Sequence, residues 1–178
     1  AIKGYQPLIT NQATHKYILF AYPATRPSRR NKKNDIMRGA CFTLGTGDVR
    51  ESVSASCKGH LLDYDCKSQR HVTHSSFSVE LFGACVASDQ AILLALIVHE
   101  ITQGPCSKYV ARTLRENGGH SCDLILVADA MSVLAAVTAT MIKPSAEKSL
   151  LSHIQYLREL IDNEVFHAIA WQDTRHGC

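Results

Sequence analysis

The sequence predicts an α/β domain built on one mixed sheet, and three observations carry that expectation. Between His15 and Ser68, three strand-length runs are separated by turn-forming residues. From Ser75 to about Thr102 there is no proline, and apolar residues return at helical spacing. Leu124–Ala128 is apolar at every position, as in a strand buried on both faces. The 178 residues allow one domain with a sizeable core and are short for two.

Residues 1–14 are mixed and polar and read as an arm; the domain is expected to run over 15–178. His15–Ala21 is the first strand. Pro23–Asp35 holds two prolines and the basic cluster Arg29, Arg30, Lys32 and Lys33, and reads as a loop. A solvated loop is the plain account of that cluster and a phosphate-contacting one the sharper account. Met37–Leu44 is the second strand, closed by Gly45-Thr46-Gly47-Asp48, and Leu61–Ser68 holds the third. Three sequential strands with short connections suggest an antiparallel meander.

The helix that follows is expected to present Val79, Phe82, Val86, Leu93 and Leu96 on one stripe, with Ser75 or Ser76 as its cap and Gly104-Pro105 as its stop. A short helix is possible at Lys108–Glu116, before Gly118-Gly119. After the Leu124–Ala128 strand, Ala130–Thr140 returns to helix formers. Pro144 separates it from an amphipathic helix at Ala146–Ile161 with Leu150, Ile154, Leu157 and Ile161 aligned. Val165–Trp171 closes as a strand. Strands followed by alternating helices and strands fit one mixed sheet, whose chemistry gathers at strand ends.

Composition narrows the function classes. A net charge of +3 is too mild to argue for nucleic acid without a clustered basic face. The longest apolar run, Ala91–Val98, falls well short of the roughly 20 residues that span a bilayer, so no membrane span is expected. The N-terminus shows no secretory pattern. The seven cysteines, Cys41, Cys57, Cys66, Cys85, Cys106, Cys122 and Cys178, are odd in number and irregular in spacing. With no C-x-x-C, they point to thiols in an intracellular, reducing compartment rather than a zinc ribbon. Cys85 reads as a small core residue.

Two carboxylates stand out. Glu80 lies early in the long helix, with Gly83, Ala84 and Ala87 on its face; small residues there let the helix approach a sheet. Asp129 ends the buried strand. A carboxylate at a strand end beside another on a crossing helix is the outline of a divalent-metal site, because hard cations such as Mg²⁺ take oxygen ligands. The plain alternatives are a Glu that complements the helix dipole and an Asp that caps the next helix. His71 with His74, Cys57 with His60, and His120 with Cys122 have ligand-like spacing but no second half. No phosphate-binding glycine loop and no hydrolase nucleophile elbow occurs.

Several stretches, taken in order, resemble the ribonuclease H domain of copia-type retrotransposons. Gln69 through Leu81 resembles the family's strand-ending glutamine, serine-rich cap and helix carrying a catalytic Glu. Asp129-Ala130-Met131-Ser132 resembles its Asp-Asn-x-Ser. Lys148 through Arg158-Glu159 matches its Lys, nine residues, Arg-Glu helix, and Ala170–Thr174 its closing strand. The resemblance spans roughly 15–178 and rests on order and spacing. It implies a ribonuclease-H-like fold that cleaves the RNA strand of RNA–DNA hybrids with two Mg²⁺ ions held by Asp-Glu-Asp-Asp.

By that resemblance Glu80 takes the second position and Asp129 the third, as catalytic and metal ligands. Tyr22 stands where the first Asp belongs, and the fourth falls a few residues beyond Thr174; Asp173 precedes it and is no substitute. Two of four ligands are missing, so Mg binding and nuclease activity are expected to be weak or absent. Two functions follow as expectations: a nuclease domain that binds RNA–DNA hybrid, or a catalytically inactive domain serving as a structural subunit with protein partners in a larger assembly. A zinc module is a third, weaker one.

Overall fold

The computed structural model describes residues 17–27, 36–46, 59–68, 75–140 and 148–171. The 1–14 arm, the basic cluster at 29–33, His71, His74, Cys57 and Asp173 lie outside the described residues.

The described elements are β1 (Tyr17–Pro27), β2 (Ile36–Thr46), β3 (Gly59–Ser68), α1 (Ser76–Gln103), α2 (Lys108–Asn117), β4 (Cys122–Ala128), α3 (Met131–Thr138), α4 (Ser149–Asp162) and β5 (Ala168–Trp171). They form one five-stranded sheet in the order β3-β2-β1-β4-β5. β1, β2 and β3 are an antiparallel meander, while β4 runs parallel to β1 and β5 parallel to β4. The change from antiparallel to parallel pairing therefore falls at β1, the central strand of the sheet. Parallel strands need crossovers, and the helices between β3 and β5 supply them.

β4 is buried at all seven positions, as the apolar run Leu124–Ala128 requires, and Asp123 is buried with it. β1 also presents apolar side chains to both faces. Leu19 and Ala21 join the large core under the helices, with Leu124 and Leu126 of β4. Ile18 and Phe20 join a second cluster on the other face, with Ile125, Val127 and Ala170. The first strand is longer than expected: it runs through Pro23 to Pro27, and Pro23 pairs with Ala40 of β2. The segment 23–27 is strand rather than loop. Pro23 donates no hydrogen bond and has been accommodated in a central strand, where proline is uncommon.

α1 has the span the sequence suggests but buries a different stripe. Ser75 caps it, its hydroxyl accepting from the Ser78 amide at 3.2 Å. The buried face carries Leu81, Gly83, Ala84, Ala87, Ser88, Ala91, Ile92 and Ala95. Of the expected stripe Val79 is buried, Phe82, Val86 and Leu96 are only half-buried, and Leu93 is exposed. The reason is that α1 is apolar nearly all round, so periodicity does not select a face; close approach to the sheet does, and it favours small side chains. A Cβ on Gly83 would meet the Thr25 methyl at 3.3 Å, which shows how near α1 comes to β1.

By length and composition α1 is apolar enough to cross a membrane, although half of its most apolar stretch is buried inside the domain. α2, expected as a possible short helix, is present; α4 buries Leu150, Ile154, Leu157 and Leu160, with Ile161 at its margin.

Candidate carboxylate site

Glu80 is the fifth residue of α1, so it sits beyond the first turn where a carboxylate best complements the helix dipole. Asp129 directly follows β4. The cap position of α3 belongs to Ala130, and no side chain caps that helix. Neither plain alternative accounts for these two residues. They are brought together at the carboxyl end of β4: Asp129 lies close enough to Glu80 for its charge to act on it.

Burial first, and then the Asp129 charge, push the Glu80 carboxyl above its usual range. Asp129 is also pushed up by burial, partly offset by a hydrogen bond from its own backbone amide. Its carbonyl accepts from the Trp171 indole nitrogen at 3.2 Å, which ties the strand end to β5. Both carboxyls are half-buried and disfavour ionising side by side.

The opening strand does not complete the site. Tyr22 lies on the far face of the sheet from α1, its ring stacked on Phe20 with centroids 6.1 Å apart. The expectation that Tyr22 replaces a ligand is therefore corrected: side chains alternate along a strand, so Tyr22 cannot share the face of Leu19 and Ala21. The residue that follows it on α1's face is Pro23, which is buried. Ala21 pairs with Leu126, so the parallel register carried two residues on puts Pro23 level with Ala128, next to Asp129. Strand alternation would have shown this from sequence had β1 been read through its proline.

Among the described residues no group of three or more His, Cys, Asp or Glu could hold a metal ion. That includes His120 with Cys122, both of them buried. The position expected for a fourth carboxylate lies outside the described residues.

The strand order and directions decide the architecture. The fold is ribonuclease-H-like. No family model matches the chain, and no curated protein matches it. Among solved structures it is similar to the RNase H1 of the halophilic archaeon Halobacterium salinarum NRC-1, at 13% identity over 88% of this chain and 85% of that one, with a TM-score of 0.46. It is similar to the N-terminal RNase H domain of a Mycobacterium tuberculosis protein, at 13% identity over 92% and 86%, with a TM-score of 0.44. A prototype foamy virus protease–reverse transcriptase shows 9% identity over 96% of this chain and 19% of that chain, with a TM-score of 0.40.

Proposed function

We propose that this chain is a ribonuclease-H-like domain of copia-type retroelement descent, intracellular, whose capacity to cleave RNA–DNA hybrids is weak or absent. One observation carries the reading: β1 contains no carboxylate, and Leu19, Ala21, Pro23 and Thr25 occupy its α1-facing positions. A two-ion site needs an acidic group between the ions to offset their charge. Glu80 and Asp129 offer two carboxylates that already resist ionising together. The residues described do not fit a pair of Mg²⁺ ions.

The test is incubation of the purified chain with an RNA–DNA hybrid and Mg²⁺ or Mn²⁺, beside Glu80→Gln. Cleavage no greater than that of the variant is expected. Cleavage that the substitution abolishes would mean the site works with another ligand set. A gain-of-function arm sharpens the test. Pro23→Asp places a carboxylate on the face of Glu80, level with the end of β4, and should raise Mn²⁺ affinity at least tenfold by spin-resonance titration.

A second reading, a structural or interaction subunit, is favoured by exposed apolar surface. Leu93, Ile97 and Ile101 stand one turn apart on α1 at 58%, 51% and 78% exposure. Contiguous apolar surface of this kind marks interaction sites more often than chance.

A further inference from the structure

At the other end of β4, side chains far apart in sequence converge. His99 comes from α1, His120 from the link between α2 and β4, Asp123 from the start of β4, and His167 from the approach to β5. His99 Nδ1 accepts from the Ser121 amide at 3.0 Å, so that nitrogen carries no proton. The Thr102 hydroxyl donates to Ser121 Oγ at 2.8 Å. His167 Nε2 lies 2.9 Å from Asp123 Oδ1. His120 is only 6% exposed, and its Nδ1 has no hydrogen-bond partner among the described residues.

The imidazoles differ in what surrounds them. His167 is paired with Asp123. A proton on His99 Nδ1 removes the acceptor of the Ser121 amide and leaves two N–H groups facing each other. A proton on His120 is a buried charge between two further imidazoles. The other groups around the cluster do not offset it. Glu100 on α1 has its carboxylate oxygen on the Cys106 amide at 3.1 Å. β1 contributes Tyr17, in register with Cys122. Glu164 meets the link through its backbone carbonyl, above Gly118.

We infer that His99 and His120, beside the His167–Asp123 pair, form an acid-sensitive latch, which holds the link 118–121 and the end of α1 on the sheet at neutral pH and releases them on mild acidification. What the latch holds is otherwise weakly fixed. α2 buries only Leu114, and Gly118 and Gly119 both have positive φ, so the link is a hinge-like turn. Opening there frees α2 and the last turn of α1 without unpairing β4, whose seven residues are held by β1 and β5.

Burial, then His99 and His167, lower the His120 imidazole to about 4, while a solvated imidazole titrates near 6.5. Release to water on opening therefore favours the open state about thirtyfold more at pH 5 than at pH 8.

Amide-resolved hydrogen exchange on the full chain, corrected for the intrinsic pH dependence of exchange, tests this. Ser121 protection should fall about thirtyfold from pH 8 to pH 5, with Leu126 protection retained. His120→Phe should flatten that response. If His120→Phe does not fold, His99→Gln keeps an acceptor for the Ser121 amide, removes one like charge and should give a smaller fall. Ser121 protection that ignores pH, that falls together with Leu126, or that responds equally in the variants would overturn the latch.

Discussion

Single residues carry opposed demands at the two ends of β4. At the carboxyl end, Glu80 and Asp129 are both raised, so the folded state prefers them protonated. A raised carboxyl contributes stability below its unfolded value and loses it as pH rises through the folded one. At neutral pH the pair is a liability. Glu80→Gln should therefore raise the melting temperature at pH 7 and have no such effect at pH 3.5; calorimetry at the two pH values checks it. Gly118 makes a different demand. Its φ is +70°, and a Cβ there would sit 2.4 Å from the Glu164 carbonyl oxygen. Gly118→Ala should cost on the order of 2–3 kcal/mol in urea unfolding, because strain and overlap act together.

At the scale of elements, what was legible in the sequence depended on whether one residue pattern had one physical cause. β4 was legible because only a strand covered on both faces tolerates the five apolar positions Leu124–Ala128 in a row. The small residues beside Glu80 were legible for the same reason: Gly83, Ala84 and Ala87 are all buried. Of the stripe Val79, Phe82, Val86, Leu93, Leu96 only Val79 is fully buried, because α1 offers apolar side chains on every side. β1 was cut short because Pro23 and Pro27 are turn residues in most settings. Of the histidine latch only His120, beside Cys122, stands out in the sequence, since its members lie at 99, 120 and 167 and only the crossovers assemble them. Element stability follows from the same packing. Leu126→Ala, in the middle of the sheet, should cost about 2–5 kcal/mol. Ser75→Ala, at the α1 cap, should cost about 1 kcal/mol. Chemical denaturation of both variants would check the ordering.

Across the whole molecule, the latch gives stability its own dependence on pH. His120 has a lowered value in the folded state, so the unfolded chain binds the extra proton between about pH 6.5 and about 4. Stability from this residue is complete above that window and is lost as pH falls through it, by on the order of 3 kcal/mol. Global unfolding measured at pH 7 and pH 4.5 should show that loss, and His120→Phe should remove most of it.

The central position of β1 also has a consequence for how the chain is made. Its partner β2 follows within a few residues, but its other neighbour, β4, begins at Cys122, which pairs with Tyr17 across 105 intervening steps of sequence (122 − 17). At a synthesis rate of about 5–20 residues per second, that edge waits roughly 5–20 s for its partner. During the interval Ile18, Leu19, Phe20 and Ala21 lie along an open hydrogen-bonding edge with apolar side chains on both faces. The nascent meander is therefore the stage at which this edge is most open to wrong pairing, well before the carboxylates or the latch exist.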